Sequence, residues 1–202
     1  MFDVLIIGGG VSGISCALIL GSACKKPFAE GKNIGILTHQ KASALQDAIF
    51  YNAYGIPSGK TGAELLKEST EQLALNYPHV EQISGEKVLK LEKQDRIFTI
   101  TSNKNTYTAH IVVVSVGNGN PFPFEGLEEY VIPHQKALPS KNRLQLKNED
   151  HLVFPGLYVT GTLAGHRSQL SIAAGSGAAV ATDILTLWND GQPVQVHDSL
   201  RK

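Results

Sequence analysis

The stretch FDVLIIGGGVSG, residues 2–13, decides the fold of this chain. A nearly unbroken apolar run over residues 2–7 leads into the pattern Gly-x-Gly-x-x-Gly, and a segment compatible with a helix follows. Strand, tight turn and helix N-terminus together form the context in which this glycine pattern indicates dinucleotide binding. The pattern alone is common by chance, so the prediction depends on its position directly after an apolar strand.

The three glycines have separate expected roles. Gly8 allows a sharp turn, Gly10 has no Cβ to keep a pyrophosphate away, and Gly13 lets the helix pack close to the strand. Val11 and Ser12 begin a helix whose free N–H groups and positive dipole end would face the phosphates. FAD or NAD(P) is therefore the first ligand hypothesis.

Composition limits the partners and the compartment that we expect. A chain of 202 residues can bury one good core. Lys plus Arg and Asp plus Glu number 18 each, so no excess of charge points to nucleic acid or to an anionic membrane surface. We see no signal-peptide pattern and no apolar run of membrane-spanning length, so we expect a cytoplasmic protein without a membrane partner.

The two cysteines, Cys16 and Cys24, match neither Cys-x-x-Cys nor a metal-binding spacing. Cys16 falls on the first predicted helix and is expected in the core. We therefore predict no structural disulfide and no metal site.

Hydrophobic periodicity divides the rest of the chain into strands and helices. The predicted elements are strands over residues 2–7, 33–38, 87–92, 96–101, 106–109, 111–117 and 157–160, and helices over 11–24, after the capping-box pair Thr61 and Glu64, and over 168–190. Residues 43–60 are expected to be irregular, and 121–150 to form a connection with one short strand at most. This order predicts an α/β fold, Rossmann-like and three-layered, with a central parallel sheet and a three-stranded antiparallel meander. We expect one domain over residues 1–190 and a polar tail over 191–202.

The end of the second strand departs from the fingerprint. An Asp or Glu usually stands there and binds a ribose hydroxyl. This chain has Thr38, His39 and Gln40 instead. Ribose recognition is therefore either weakened or supplied by one of these side chains, and Lys41 either meets a phosphate or faces water.

Several separate motifs together resemble the flavin-binding domain of the thioredoxin reductase-like pyridine nucleotide–disulfide oxidoreductases. Besides the glycine pattern they are GAEL at 62–65, SVG at 115–117, VFPGLYVTGT at 153–162, RSQ at 167–169 and AAGSG at 173–177. The resemblance spans most of the chain and implies FAD as the cofactor.

The resemblance also implies which positions would approach that cofactor. Gly8, Gly10, Val11, Ser12 and Gly13 would lie at the pyrophosphate, Thr38 and His39 near the adenosine ribose, Val88 near the adenine, Gly117 and Asn118 beside the cofactor at the sheet, and Gly161, Thr162, Arg167, Gln169 and Leu170 near the flavin. Backbone amides of Gln169 and Leu170 would face the pyrimidine ring. No catalytic acid or base stands out. His166 and Arg167 are candidates, and a solvent-facing loop pair is the alternative.

Two departures from the family matter. The family inserts an NADPH-binding domain that carries a redox Cys-x-x-Cys, whereas only about thirty residues separate Asn120 from His151 here, too few for a complete βαβ-based domain. The family's Gly-Asp, whose Asp holds the ribityl–phosphate end of the flavin, is Gly161-Thr162. A charge-assisted contact is therefore lost.

Three functions remain open at this point. The first is a small FAD-binding oxidoreductase whose electrons come from a separate donor protein or from free NAD(P)H. The second is a non-catalytic nucleotide-binding or protein-interaction subunit, which the missing acids favour. The third is NAD(P) in the same cleft, although the Pro-Gly and AAGSG segments favour flavin. The long last helix or the meander offers a surface for a homodimer.

Overall fold

The computed structural model describes residues 1–39, 43–194 and 196. Gln40, Lys41 and part of the predicted polar tail lie outside the described residues. The strands are β1 (Phe2–Ile7), β2 (Ile34–Leu37), β3 (Ile49–Phe50), β4 (Lys60–Thr61), β5 (Val80–Ile83), β6 (Val88–Gln94), β7 (Ile97–Ser102), β8 (Thr106–Val114), β9 (Val131–Pro133), β10 (Leu144–Leu146), β11 (Leu152–Phe154) and β12 (Leu157–Val159). The helices are α1 (Val11–Ser22), α2 (Gly62–Asn76) and α3 (Leu170–Trp188), with short 3-10 helices at Ala44–Asp47, Glu128–Tyr130, Pro139–Lys141 and Gly161–Ala164.

The central sheet has the strand order β11-β12-β8-β1-β2-β5. Strand β1 pairs in parallel with β2 and β8, and the parallel pairing continues to β5 on one side and to β12 on the other. The edge strand β11 is antiparallel to β12. This open, mostly parallel sheet confirms the predicted α/β, Rossmann-like fold.

Strand β8 belongs to both the central sheet and the meander. Its residues 106–109 pair antiparallel with β7, and its residues 109–114 pair in parallel with β1. The sequence-based division into two strands on either side of His110 was therefore wrong. The pattern changes within one continuous strand because its first part is only partly covered, whereas its second part is buried on both faces.

The central sheet lies between two different layers. Alternate side chains such as Val4, Ile6 and Val113 face α1 and α3 on one side. Leu5, Ile7 and their neighbours face the antiparallel β6–β7 pair on the other side. Because both faces are covered, the central strands have the continuous apolar runs that were recognisable in the sequence.

The connections contain more structure than predicted. Strands β3 and β4 pair within the segment expected to be irregular, β9 pairs with β10 within residues 121–150, and β11 was not predicted. Strands of two or three residues are too short to show a periodic pattern. Helix α1 ends at Ser22 and α3 begins at Leu170, both inside the predicted bounds.

Helix α3 is long and apolar enough, by length and composition, to cross a membrane. By length and composition, the expectation that no apolar segment is long enough to span a membrane therefore does not hold. A single such helix is weak support for a membrane span, since core helices pass the same test. In the structure α3 packs against α1, where Gly177 meets the backbone of Ser12.

Candidate functional site

A cleft of about 730 Å³ opens at the ends of β1, β2, β8 and β12, the edge at which ligands bind in open α/β sheets. This volume is within the range of roughly 300–1,000 Å³ that is typical of small-molecule sites. Twelve of the predicted positions line the cleft: Gly8, Gly10, Val11, Ser12, His39, Val88, Gly117, Asn118, Gly161, Thr162, Gln169 and Leu170. The fold thus collects at one site residues that are far apart in the sequence.

The glycine turn has three different geometries. Gly8 has a φ of +114°, and a Cβ there would lie 2.4 Å from the Ser115 carbonyl oxygen. A Cβ on Gly13 would lie 1.9 Å from the Gly8 carbonyl oxygen, so Gly13 serves the packing of α1 on the turn. A Cβ on Gly10 would meet no protein atom within 4 Å. Gly10 therefore leaves open space at the cleft, which a ligand can occupy.

Three of the predicted positions do not line the cleft: Gly13, Thr38 and Arg167. Gly13 is behind the wall, at the contact just described. Thr38 packs against Gly9, whose missing Cβ would lie 2.9 Å from the Thr38 Cα, and its hydroxyl approaches the Ile83 carbonyl oxygen at 3.4 Å. Arg167 is exposed, and its carbonyl oxygen accepts a hydrogen bond from the Gln169 amide at 3.0 Å. That amide is therefore engaged within the chain, although Gln169 itself lines the cleft.

Two helices begin at the cleft with uncapped N-termini. Gly10 occupies the N-cap position of α1, and Gln169 occupies that of α3. Neither residue makes a side-chain hydrogen bond to the first N–H groups of its helix. Neither helix has an acidic residue in its first turn. The first N–H groups of a helix need acceptors from outside it, and its dipole is positive at that end. This pair of helix ends suits an anionic ligand such as a diphosphate.

A buried network of hydroxyl groups connects the elements beneath the cleft. Thr160 donates to Ser115 at 2.8 Å, and the Ser115 and Ser12 hydroxyl oxygens are 2.7 Å apart. Because Ser115 accepts from Thr160, it can donate its own proton to Ser12, and the Ser12 proton is then available to a ligand. The Gly161 amide donates to Ser176 at 2.8 Å. These bonds hold α1, β8, β12 and α3 together at the site.

The wall beside β2 comes from the segment that was expected to be irregular. Ser43, Ala44, Leu45, Ala48 and Phe50 line this wall. A Cβ on Gly62 would lie 1.7 Å from the Leu45 carbonyl oxygen, so the first residue of α2 packs directly against it. Sequence reasoning missed these residues because the segment has no periodic pattern.

Four ionisable residues line the cleft: His39, Glu86, Lys87 and Arg143. Of these only His39 was predicted. Lys87 and Arg143 are exposed cations, whereas Glu86 is buried. The side chains of Lys87 and Arg143 make no ion pair among the described residues. They add positive potential to a site that already suits an anion.

Glu86 is held by three donors. Its carboxylate accepts hydrogen bonds from the Ser102 hydroxyl at 2.5 Å, the Asn105 amide at 2.7 Å and the Tyr107 hydroxyl at 3.0 Å. The hydrogen bond from Ser102 is the main reason that the pKa of Glu86 is lowered, and it outweighs the opposing effect of burial. Glu86 is therefore an ionised carboxylate at neutral pH.

His166 lies outside the cleft lining and faces His151 instead. The two Nε2 atoms are 3.5 Å apart, and the rings are tilted by 44°. The Nδ1 atom of His151 is 3.0 Å from the Val159 carbonyl oxygen, which can only accept, so Nδ1 carries the proton. In the neutral pair His166 then donates to the Nε2 atom of His151. His166 is therefore positioned by its contact with His151 and not as part of the cleft lining.

In the part of the chain that the structure describes, no group of three or more His, Cys, Asp and Glu side chains could hold a metal ion.

The chain is similar to ferredoxin–NADP reductases of several bacteria. A ferredoxin–NADP reductase of Streptococcus agalactiae is 32% identical over 124 residues, which cover 59% of this chain and 36% of the reductase. One of Streptococcus mutans is 26% identical over 185 residues, covering 89% and 48%. The chain thus spans less than half the length of these relatives.

Solved structures share the fold at lower identity. A thioredoxin reductase from Gloeobacter violaceus superposes with a TM-score of 0.73 at 15% identity, covering 98% of both chains. A family model described as pyridine nucleotide-disulphide oxidoreductase matches residues 2–165, which include the glycine turn and most of the cleft. By this match the chain belongs to the pyridine nucleotide-disulphide oxidoreductase family, within which it resembles the flavin-binding domain of thioredoxin reductases.

Proposed function

We propose that this chain binds FAD and forms the flavin-binding part of an oxidoreductase that exchanges electrons with a separate donor. The observation that carries the proposal is the geometry at Gly10, whose backbone opens onto the cleft where two uncapped helices begin. Backbone approach without a Cβ and converging N–H groups are what a pyrophosphate requires.

The other cleft residues fit the remaining parts of this ligand. His39 follows β2, where a dinucleotide fold recognises the adenosine ribose. Val88 lies beyond His39, at the end of the cleft that suits the adenine ring. Thr162 and Leu170 stand at the opposite end, near the start of α3, where the flavin would lie. FAD would supply the redox chemistry, and the chain would bind it, orient it and exclude water.

The cysteines support an external electron partner. Cys16 is fully buried, and burial raises the pKa of its thiol, so it remains protonated. It forms no Cys-x-x-Cys with Cys24. We therefore propose that electrons arrive from a ferredoxin-like protein or from free NAD(P)H, in keeping with the ferredoxin–NADP reductases that the chain resembles.

A second candidate is a nucleotide-binding subunit without redox chemistry. Two observations favour it: Thr38 replaces the ribose-binding acid and does not line the cleft, and Thr162 replaces the acid at the flavin end. Each change removes a charge-assisted hydrogen bond, and such bonds are about twice as strong as neutral ones.

The experiment that tests the proposal is a visible absorption spectrum of the purified chain, followed by titration of the colourless fraction with FAD, NADPH and NADH. Bound FAD at one equivalent supports the proposal. A chain that takes up NAD(P)H but no FAD supports the second candidate, and one that takes up neither contradicts both candidates.

A matched pair of variants locates the binding site. Gly10→Ala places a methyl group in the cleft without touching protein, and we expect FAD binding to weaken roughly ten- to hundredfold, the effect of about 1–3 kcal/mol of steric conflict. Gly175→Ala makes the same change on α3, where a Cβ also meets nothing within 4 Å. Gly175 does not line the cleft. FAD binding to this control should be unchanged.

A further inference from the structure

The loop between the 3-10 helix Gly161–Ala164 and α3 bounds the end of the cleft where the flavin would lie. The residues on either side of this loop line the cleft: Gly161 and Thr162 before it, and Ser168, Gln169 and Leu170 after it. Its middle, residues 165–167, does not line the cleft and lies against the β9–β10 hairpin. The contacts of these middle residues therefore set the shape of the site from outside it.

His134, on that hairpin, holds the loop with a ring that has two fixed partners. The Lys136 amide donates to the Nδ1 atom at 3.1 Å, so Nδ1 carries no proton. The Nε2 atom lies 3.2 Å from the His166 carbonyl oxygen, which can only accept, so Nε2 carries the ring proton and donates it. Both partners are backbone groups. Only one tautomer of the neutral imidazole satisfies both of them.

The hairpin that carries His134 is itself fixed at the cleft. The His134 amide donates to the Arg143 carbonyl oxygen at 2.9 Å, and the Leu144 amide donates to the Asn118 carbonyl oxygen at 3.1 Å. Arg143 and Asn118 both line the cleft. His134, which is 8% exposed, thus connects the loop to a hairpin anchored beside the end of β8.

A second buried histidine meets the same loop from the other side. The Nε2 atom of His151 lies 3.5 Å from that of His166. His151 has a left-handed backbone with a φ of +72°, and its amide donates to the Asn148 side chain at 3.1 Å. A non-glycine residue stays in this conformation only where its surroundings hold it there. His166 is therefore held by its carbonyl group on one side and by its ring on the other.

Charged groups of both signs lie around the three histidines: Lys136 on the hairpin, Asp150 in the turn before β11, Arg167 in the loop and Asp183 on α3. Within the described part of the chain, neither carboxylate comes close enough to His134 to form an ion pair. A proton on the buried His134 ring would therefore have no carboxylate to compensate for its charge.

We propose that His134 is a positioning residue whose neutral ring holds residues 165–169 in the shape that binds the flavin half of FAD. The proposal rests on the proposed function, because it is FAD that would fill this end of the cleft. Protonation of Nδ1 would place an N–H group against the Lys136 amide. The ring would then turn away, and the His166 carbonyl oxygen would lose its donor. A less organised loop lowers the affinity for FAD.

The direction of the pH dependence follows from this arrangement. An ordinary histidine titrates near pH 6.5, so binding that needs a neutral ring is fully present above that pH and weakens below it. We expect the dissociation constant of FAD to be roughly fivefold larger at pH 5.5 than at pH 7.5, which corresponds to the loss of one net hydrogen bond of about 1 kcal/mol. Burial lowers the pKa of His166 as well, and its part of the pH dependence is common to the wild type and to variants of His134.

The test is titration of the whole chain with FAD, followed by the quenching of flavin fluorescence, at pH 7.5 and at pH 5.5. The wild type is compared with His134→Gln and His134→Asn. The Gln amide reaches about as far as Nε2, so it can donate to the His166 carbonyl oxygen, and it does not titrate. The Asn side chain can accept from the Lys136 amide but is too short to reach His166.

The two variants should therefore differ. His134→Gln should bind FAD within about twofold of the wild type at pH 7.5 and lose the additional weakening at pH 5.5. His134→Asn should bind roughly fivefold more weakly already at pH 7.5, with little further change on acidification. His79→Gln, at an exposed position, is the control and should keep the wild-type ratio of the two constants. Circular dichroism spectra and thermal midpoints at both pH values establish that each variant is folded.

A spectrum of the histidine rings tests the tautomer without FAD. In the chain labelled with ¹⁵N-histidine, the signals that disappear in His134→Gln belong to His134. At pH 7.5 we expect them to show a proton on Nε2 and none on Nδ1. A proton on Nδ1 instead would overturn the inference.

The outcomes of the titrations separate this inference from the proposed function. If the wild type and His134→Gln both bind FAD and show the same ratio of dissociation constants between the two pH values, the inference is overturned and the flavin proposal stands. The same holds if His134→Asn binds FAD as tightly as His134→Gln. A wild-type chain that binds no FAD at either pH overturns the proposed function, and the inference that rests on it as well.

Discussion

At the scale of single residues, missing side chains set the distance between backbone elements. A Cβ on Gly177 would lie 1.9 Å from the Ser12 carbonyl oxygen and 3.1 Å from the Cys16 amide nitrogen. Both atoms belong to the backbone of α1, so Gly177→Ala can be accommodated only if the two helices separate. We expect a loss of roughly 1–3 kcal/mol, larger than the gain of about 0.5–1 kcal/mol in helix propensity. Urea unfolding followed by circular dichroism measures the net change.

Gly175→Ala is the matched control for this change. It lies two residues away on α3, where a Cβ meets nothing within 4 Å. Only the helix propensity then changes, so the variant should be neutral or more stable by about 0.5–1 kcal/mol. Equal behaviour of the two variants would contradict the close contact between α1 and α3.

His166 makes stability depend on pH. Burial lowers the pKa of His166 below its usual 6.5, and the neighbouring His151 and Lys136 act in the same direction, against an opposing effect of Asp150. The unfolded chain therefore binds a proton at His166 before the folded chain does. This contribution is fully present above pH 6.5 and is lost as the pH falls through the folded pKa.

We expect the free energy of unfolding to fall between pH 7.5 and pH 5.5 more steeply in the wild type than in His166→Gln. Urea unfolding at the two pH values measures the difference. His79→Gln, at an exposed position, serves as the control and should follow the wild type. Parallel curves for wild type and His166→Gln would show that the contact with His151 has no such effect.

At the scale of elements, the start of α2 depends on a capping box. The Thr61 hydroxyl accepts from the Glu64 amide at 3.3 Å, and the Glu64 carboxylate accepts from the Thr61 amide at 2.9 Å. We expect Thr61→Ala to lower the free energy of unfolding by about 1 kcal/mol, and Thr61→Ser, which keeps the hydroxyl, to lose less than half of that. Chemical denaturation of the wild type and both variants measures these differences in the free energy of unfolding. A loss as large in Thr61→Ser would mean that packing of the methyl group, and not the cap, holds this helix end.

The elements that could be predicted are those whose signal is local. The capping box, the glycine turn and the buried strand β1 each place their information within a few adjacent residues, and the structure has them all. Strand β8 was divided in two because its burial changes along its length. The change in burial depends on which strands lie beside β8. This is a property of the tertiary structure, and the sequence of residues 106–114 alone does not reveal it.

At the scale of the whole molecule, the sheet determines the site more than any motif does. Ser115 and Thr160 follow two parallel strands and meet beneath the cleft, which the rule about strand ends could have predicted. Arg143 lines the cleft from the β9–β10 connection, and Glu86 lines it from the β5–β6 connection. No spacing in the sequence relates either of them to the glycine turn, so their part in the site follows only from the assembled fold.

The position of the cleft also relates ligand binding to the stability of the whole chain. A ligand that binds only the folded chain stabilises it by about 2.7 kcal/mol at a hundred times its dissociation constant. The residues that line the cleft come from α1, α3, β6 and the ends of the parallel strands, so an unfolded chain cannot form the site. We therefore expect added FAD to raise the thermal midpoint of the wild type in a concentration-dependent way.

Two glycine variants should affect this relation differently, because one glycine faces the cleft and the other faces a helix. Gly10→Ala should lower the midpoint without FAD only slightly, because alanine is less favourable than glycine at an N-cap. It should require roughly ten- to hundredfold more FAD for the same increase. Gly177→Ala should lower the midpoint without FAD and keep a similar increase at saturating FAD, provided that the helices move apart without closing the cleft. Differential scanning calorimetry across a series of FAD concentrations measures both quantities. If Gly10→Ala instead lowered the midpoint without FAD as much as Gly177→Ala does, Gly10 would be a packing residue like Gly13, and the open space at the turn would have no special relation to a ligand.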